Sequence, residues 1–123
     1  MRRIMVVDDS RLVRVQLGDV LKGTEYEIAA HCRSGEEAIE RYAEVQPDLV
    51  TMDIIMPGMD GLETAQAILE EHPEARIIMV SSLAYDDTFE EAMAIGAKAF
   101  IDKPFEKEKL VEIFEQVLNG DNP

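Results

Sequence analysis

Short apolar runs alternate with amphipathic stretches along the whole chain. The first run, residues 4–7, contains four consecutive apolar residues and is followed by two acids. A run without polar alternation is typical of a strand that is buried on both faces. Comparable segments are found at residues 26–32, 48–53, 76–82 and 98–102. The pattern therefore predicts five strands.

The stretches between the strands carry apolar residues at intervals of three and four, the period of a helix with one buried face. These positions are Leu12, Val13, Leu17, Val20 and Leu21; Ala38, Ile39 and Tyr42; Leu62, Ala65, Ile68 and Leu69; Phe89, Met93 and Ile95; and Leu110, Ile113, Phe114 and Val117. Ser34, three residues before Glu37, has the spacing of a capping box, and Asp86 can cap the fourth helix. Gly23 and Gly96 can end the first and fourth helices. One helix is therefore predicted after each strand.

Five strand-helix pairs with short connections predict a parallel sheet, because each helix must return the chain to the edge at which the previous strand began. Helices then cover both faces, which gives an α/β fold of three layers. A closed eight-stranded barrel needs about 250 residues, and this chain has 123, so the open doubly wound sheet is favoured. We expect residues 1–119 to form one domain and residues 120–123 to be a C-terminal tail or the remnant of a linker.

Composition narrows the range of partners. Twelve Lys and Arg residues stand against 26 Asp and Glu residues, a formal charge of −14. This balance argues against a nucleic-acid-binding surface and for cationic or apolar partner sites, or for bound metal cations. The single cysteine, Cys32, excludes an internal disulfide, and His31 and His72 are too isolated to suggest a zinc site.

The apolar runs are far shorter than the roughly 18 residues of a membrane-spanning helix, and the N-terminus has no signal-peptide core. We therefore expect a soluble protein of the cytoplasm without membrane insertion.

Polar residues follow the predicted strands at their carboxyl ends. They are Asp8 and Asp9 after the first strand, Asp53 at the end of the third, Ser81 and Ser82 at the end of the fourth, and Lys103 after the fifth. In open parallel sheets ligands bind beyond this edge, where the strand order reverses. We therefore expect three carboxylates, one or two hydroxyls and one ammonium group to converge on one site.

The chemistry of these groups points to phosphoryl transfer. Three ionised carboxylates coexist at neutral pH only with a cation among them, and carboxylate oxygens favour Mg²⁺ or Mn²⁺. Asp53 stands alone at the end of its strand and is the best candidate for a nucleophile. The adjacent Asp8 and Asp9 are better metal ligands, Asp9 directly and Asp8 through water. A metal, a carboxylate nucleophile, a hydroxyl and the charge of Lys103 are the parts that phosphoryl transfer requires.

Four short motifs carry a resemblance to a known family. They are VVDDS at residues 6–10, MDIIMPGMDG at 52–61, VSS at 80–82 and KPF at 103–105. Together, and in this order, they make the chain resemble the receiver domain of two-component response regulators, most closely the single-domain chemotaxis type, over essentially its whole length. The resemblance implies a flavodoxin-like (βα)5 fold with a five-stranded parallel sheet of order 2-1-3-4-5.

The resemblance also implies a role for each site residue. Asp53 is the phosphorylated aspartate, Asp8 and Asp9 hold Mg²⁺, Ile55 offers its main-chain carbonyl to the metal, Ser81 is the switch hydroxyl, Lys103 contacts the phosphoryl group, and Phe100 is the switch aromatic. Two further residues support the site: Ser82 leaves room for a phosphodonor, and Pro104 follows Lys103 through a peptide bond that is usually cis in the family.

Four positions depart from the commonest family pattern, and one of them is Ser82, where the family often has Ala. Ser81 replaces the more frequent Thr. Serine keeps the hydroxyl but lacks the methyl group, which predicts looser switch coupling. Ile55 and Leu83, two residues beyond Asp53 and Ser81, occupy positions that modulate dephosphorylation in the family. Both are apolar and offer no side chain to orient an attacking water. We therefore expect a longer-lived phosphoryl group than a polar pair would give.

The function implied by the resemblance is that of a signalling switch. The chain would take a phosphoryl group from a histidine kinase or a phosphotransfer domain, catalysing only its own phosphorylation and dephosphorylation. A downstream target, such as the flagellar motor switch or an output domain, would dock on the face formed by helix four, strand five and helix five.

Two alternatives remain open from the sequence. The chain can be a receiver domain cut from a multidomain regulator with a DNA-binding or enzymatic output. It can also be a Mg²⁺-dependent phosphohydrolase that forms an aspartyl phosphate. Two features argue against this alternative. Asp8 is followed by Asp9 and Ser10, which does not match the D-x-D pattern of such enzymes, and 123 residues leave no room for a substrate cap.

Overall fold

The predicted alternation of strands and helices is confirmed by the structure, a computed structural model that describes residues 1–81 and 86–120, the side chains of 86 and 87 excepted. The strands in this part of the chain are β1 (Arg2–Val7), β2 (Tyr26–Cys32), β3 (Leu49–Asp53), β4 (Ile77–Ser81) and β5 (Ala99–Asp102). The helices are α1 (Arg11–Val20), α2 (Gly35–Val45), α3 (Gly61–Glu71), α4 (Asp86–Ala94) and α5 (Lys107–Leu118).

The strands form one parallel sheet in the order β2-β1-β3-β4-β5. This confirms the predicted doubly wound topology. The order reverses between β1 and β3, because the chain first adds β2 on one side of β1 and then crosses to the other side. Binding sites in such sheets lie beyond the carboxyl ends of the strands at this reversal.

Both faces of the sheet are covered. Side chains of successive strand residues point to opposite faces, so Met5 and Val7 of β1 enter one core while Ile4 and Val6 enter the other. The first core packs against α2, α3 and α4, and the second packs against α1 and α5. The three-layer arrangement explains why β3 and β4 have no exposed position at all.

The helix caps differ in part from the prediction. The Ser34 hydroxyl accepts a hydrogen bond from the Glu37 amide at 3.1 Å, as the capping-box spacing predicts. The Glu37 carboxylate, however, accepts from the Arg33 amide and not from Ser34, so the reciprocal bond of the box is displaced by one residue. Asp86 is the first residue of α4 rather than its cap. A full capping box is present at α3, between Asp60 and Glu63.

Two apolar positions assigned to helix faces by their spacing are exposed. Leu12 of α1 is 64% exposed, whereas Leu17 and Leu21 are buried. At about 100° per residue, Leu12 lies about 140° around the helix from Leu17, which is outside a stripe that contains both Leu17 and Leu21. Phe89 of α4 is 48% exposed, and its ring lies 6.0 Å from the ring of Phe100.

Strand boundaries agree with the prediction to within about two residues, which is the usual uncertainty of such assignments. β1 begins at Arg2, before the apolar run, while β4 and β5 each begin one residue later than predicted. Ser82, the predicted end of the fourth strand, lies outside the described residues. Among the helices that the structure describes, none has the length and apolar character needed to cross a membrane.

Candidate functional site

The three predicted acids meet at the carboxyl edge of the sheet. β1 ends at Val7, which pairs with Met52 of β3, so the residues that follow, Asp8 and Asp53, are level with each other. Each of Asp8, Asp9 and Asp53 offers a carboxylate oxygen, and these oxygens lie within 4.8 Å of one another. Because β1 has already ended at Val7, the adjacent Asp8 and Asp9 are not forced to opposite faces of the sheet and both reach the site.

The acids differ in their exposure to solvent. Asp8 is 3% exposed and Asp53 is 9% exposed, whereas Asp9 is open to solvent. A buried ionised carboxylate is costly unless it is paired, hydrogen-bonded or bound to a metal. The two buried acids therefore need a counter-charge.

Lys103 supplies one positive charge to both buried acids. Its Nζ lies 3.1 Å from Asp8 Oδ2 and 3.4 Å from Asp53 Oδ1. The Lys103–Pro104 bond is cis, as the family resemblance implied, and the Lys103 amide donates to the Ser81 carbonyl at 2.9 Å. The structure thus brings the predicted lysine into contact with two of the three predicted acids.

Asp8 is held by further hydrogen bonds. The Ser10 amide donates to Asp8 Oδ1 at 2.8 Å, while Lys103 contacts the other carboxylate oxygen. His31 Nε2 donates to the main-chain carbonyl of Asp8 at 2.8 Å. This contact was not predicted, because His31 lies far from Asp8 along the chain. The pairing of β2 with β1, which sets His31 opposite Val6, is the signal that leads to it.

The environment of Asp53 disfavours its ionised form. Burial, and then the charge of Asp8, raise the pKa of Asp53 from its ordinary value of 3.8 to about 6, and Lys103 only partly offsets this rise. Burial disfavours a charge, and a like charge nearby disfavours it further. At neutral pH the carboxylate is ionised but is held in unfavourable surroundings, so any cation that joins the site lowers the free energy of the folded state.

The loop after Asp53 returns the chain to α3. The Ile55 side chain is 61% exposed at the rim of the site. Gly58 has a positive φ of 76°, which a residue without a Cβ adopts readily in a turn. The Gly61 amide donates to the Ile54 carbonyl at 2.8 Å. The loop is therefore closed against the end of β3.

The predicted switch residues lie on the neighbouring strands. Ser81 is the last residue of β4 and is 3% exposed; it follows Val80, which pairs with Asp53. Phe100 of β5, the predicted switch aromatic, packs against the first core but is only half-buried. The reason is that β5 is an edge strand, and the neighbouring Phe89 is itself exposed. The predicted site residues Ser82 and Leu83 lie outside the described part of the chain.

Comparison with known proteins agrees with this geometry. The family described as response regulator receiver domain matches residues 4–115. The chemotaxis protein CheY of Thermotoga maritima is 40% identical over 116 residues, which cover 94% of this chain and 97% of that protein. The chemotaxis protein CheY of Bacillus subtilis is 40% identical over 117 residues, with 95% and 98% of the two chains covered.

Solved structures show the same similarity. A CheX–CheY–BeF3–Mg complex from Borrelia burgdorferi matches with a TM-score of 0.89 at 33% identity, over 94% of this chain and 88% of that chain. The response regulator domain of Thermotoga maritima CheB matches with a TM-score of 0.87 at 34% identity, over 97% of both chains. Since the family match spans most of the sequence and the topology and acidic cluster agree with it, the chain belongs to the response regulator receiver domain family.

Proposed function

We propose that Asp53 is the phosphoacceptor of this receiver domain and takes its phosphoryl group from a phosphohistidine of a histidine kinase or phosphotransfer domain. The observation that carries the proposal is the convergence of Asp53 with Asp8 and Asp9 within 4.8 Å, with Lys103 Nζ 3.4 Å from the Asp53 carboxylate. An Asp nucleophile among charge-neutralising groups is what phosphoryl transfer requires.

The donor set fits a divalent cation. Three carboxylates and one ammonium group leave two negative charges at the site when all are ionised, and hard oxygen ligands favour Mg²⁺, or Mn²⁺. Asp8, Asp9 and Asp53 would hold the ion, with the main-chain carbonyl of Ile55 as a further ligand. Bound there, Mg²⁺ would neutralise part of the charge on the transferred group.

The residues of the chain then act in a simple order. An Asp53 carboxylate oxygen attacks the phosphorus of the donor, the P–N bond breaks, and the imidazole of the donor keeps the electron pair and takes up a proton. Lys103 moves from the Asp53 carboxylate to a phosphoryl oxygen. The Ser81 hydroxyl donates to a second phosphoryl oxygen, and the family resemblance implies that the small residue Ser82 would leave space for the incoming donor.

The output would be a changed surface on α4, β5 and α5. Phe100 lies on β5 beneath Phe89 of α4, and a shift of Ser81 toward the phosphoryl group gives Phe100 space to turn inward. Because the relatives from Thermotoga maritima and Bacillus subtilis are chemotaxis proteins, we infer a protein target in chemotaxis, such as the flagellar motor switch, and action in the cytoplasm. The charge of −14 disfavours direct binding of this domain to DNA. We assign the receiver domain to residues 1–119 and interpret residues 120–123 as a C-terminal tail or the remnant of a linker.

Beryllofluoride, a mimic of the phosphoryl group, tests the assignment of Asp53. In the presence of Mg²⁺ we expect saturable shifts of the amide signals of the loop after Asp53 in two-dimensional NMR spectra, since the mimic would bind the Asp53 carboxylate and contact Lys103. Asp53→Asn should show no such response. A wild-type protein that does not respond, or a variant that responds equally, would show that Asp53 is not the phosphoacceptor.

The lifetime of the phosphoryl group should depend on Ile55. Its side chain is exposed at the rim of the site and offers no group to orient a hydrolytic water. We expect Ile55→Asn to speed dephosphorylation by roughly tenfold, less than the 10²–10⁴ of a true general base. The measurement is the decay of radiolabelled aspartyl phosphate, with the apolar exchange Ile55→Val as the matched control. Equal decay rates in all three proteins would contradict the expectation.

A further inference from the structure

The first turn of α3 lies directly against the end of β3. Gly61, the first residue of α3, donates its amide to the Ile54 carbonyl at 2.8 Å. A Cβ atom on Gly61 would overlap the carbonyl oxygen of Asp53 and would lie 2.8 Å from both the Asp53 carbonyl carbon and the Ile54 Cα. In protein structures a Cβ atom essentially never lies within 3.0 Å of a heavy atom outside its own residue and its two chain neighbours. Any side chain at residue 61 must therefore push two backbone segments apart.

The displacement would be taken up by the site. β3 is buried on both faces and is paired with β1 and β4 along its length, so its body cannot yield easily. The strand is held least at its carboxyl end, because Asp53 pairs with Val80 of β4 but lies beyond the pairing with β1, and the Asp53 carbonyl and carboxylate share one Cα atom. The loop that carries Ile55 begins at the same point.

We propose that Gly61 is a positioning residue of the phosphorylation site. Its missing side chain lets α3 hold the Asp53–Ile54 backbone, and through it the Asp53 carboxylate and the Ile55 carbonyl, at the right distance from Asp8 and Asp9. The role of Gly61 rests on the proposed function, but the close approach of residue 61 to the Asp53 and Ile54 backbone does not depend on it.

A metal site tolerates little displacement. Mg²⁺ requires near-ideal octahedral geometry at about 2.0–2.1 Å from its ligands. A reacting group that is misplaced by about 1 Å slows a reaction by roughly 10²-fold. A shift of the Asp53 backbone should therefore weaken Mg²⁺ binding and phosphorylation far more than it weakens the fold.

The chain offers a matched control at the start of α2. Gly35 is also the first residue of its helix, after the cap Ser34. A Cβ there would overlap the Thr64 hydroxyl and would lie 3.4 Å from the Met59 Cβ, so it meets side chains and not the backbone of the loop after Asp53. Phe114, fully buried in the core on the opposite face of the sheet, provides a second control that lowers stability without touching the site.

The experiment compares Gly61→Ala, Gly35→Ala and Phe114→Leu with the wild type. Since the chain contains no Trp, Mg²⁺ affinity is measured by NMR titration, and phosphorylation by acetyl phosphate is followed separately. Unfolding in urea gives the stability of each variant. We expect Gly61→Ala to lose at least about tenfold in both Mg²⁺ affinity and phosphorylation rate, while both controls stay within about twofold of wild type.

Each outcome decides the role of Gly61. Wild-type Mg²⁺ affinity in Gly61→Ala, or an equal loss in controls of similar stability, would overturn the assignment. If Gly61→Ala does not fold in buffer, the comparison is made in a stabilising osmolyte such as TMAO; failure to fold there as well would make Gly61 a requirement of the fold and not a positioning residue. If the wild type binds Mg²⁺ but accepts no phosphoryl group, the proposed function is wrong, and the Mg²⁺ affinities still decide the role of Gly61.

Discussion

Replacement of Asp53 by Asn is expected to stabilise the protein and, at the same time, to abolish phosphorylation. Asp53 is 9% exposed, and burial together with the charge of Asp8 raises its pKa from 3.8 to about 6. A shift of this size corresponds to roughly 3 kcal/mol against the ionised form, so the neutral amide should raise the free energy of unfolding by about this amount at neutral pH. The amide has no nucleophilic carboxylate oxygen, so phosphorylation is lost.

The pH dependence of this gain has a definite sign. Between about pH 4 and pH 6 the folded state retains a proton on Asp53 that the unfolded state has released, so wild-type stability from this group falls as the pH rises. Above about pH 6 Asp53 is ionised in both states and destabilises the fold by its full amount. Below about pH 4 it is protonated in both states and does not destabilise the fold. The advantage of Asp53→Asn should therefore be largest above pH 6 and disappear near pH 4.

Urea unfolding in the presence of EDTA at a series of pH values measures this difference. Asp19→Asn, an exposed acid on α1, is the control and should change neither stability nor phosphorylation. A constant difference between Asp53→Asn and wild type across the pH range would refute the electrostatic explanation.

Replacement of Lys103 by Met should have the opposite effect on stability. The Lys103 side chain is 20% exposed, and its Nζ contacts both buried acids, Asp8 at 3.1 Å and Asp53 at 3.4 Å. Removing one member of a buried ion pair typically costs 3–5 kcal/mol because the partner charge is left unpaired. Since Lys103 retains some exposure, we expect a loss of about 3 kcal/mol in the absence of divalent cations.

The stability lost in Lys103→Met should depend on pH and on Mg²⁺. Without Lys103 the pKa of Asp53 rises further, because Lys103 lowers it in the wild type. The deficit is therefore present above pH 6 and shrinks as the pH falls and the acid becomes neutral. Mg²⁺ should raise the melting temperature of Lys103→Met more than that of the wild type, since it replaces the missing charge, but phosphorylation should remain slow.

The matched control is Lys98→Met. Lys98 is exposed just before β5, while Lys103 follows the other end of the same strand. Thermal unfolding with and without Mg²⁺ compares the two variants. Equal melting temperatures for Lys98→Met and Lys103→Met would show that Lys103 does not balance the buried acids.

The periodic pattern of the chain was sufficient to predict the α/β class and the open parallel sheet, whereas the strand order 2-1-3-4-5 was implied by the family resemblance. Runs such as residues 4–7 have no polar alternation because both faces of their strand are covered, and the spacing of Leu17 and Leu21 marks the buried stripe of α1. The convergence of Asp8, Asp9, Asp53 and Lys103 could also be predicted, because the carboxyl ends of parallel strands share one edge. These features depend on order and spacing along the chain.

Contacts between distant segments could not be predicted in the same way. The hydrogen bond from His31 to the Asp8 carbonyl requires the register of β2 against β1. The partial exposure of Phe100 follows from the position of β5 at the edge of the sheet. The close approach of Gly61 to Asp53 depends on how the first turn of α3 docks on β3.

Local spacing along the chain is therefore enough to predict the strands, the helices, the parallel sheet and the set of chemical groups at its edge. Three properties of the site follow only from how the segments pack: Lys103 bridges two buried acids, Asp9 remains in solvent, and residue 61 has no room for a side chain. Burial and distance depend on which segments are in contact, and small shifts between packed segments change whether a charge is paired and whether an atom fits.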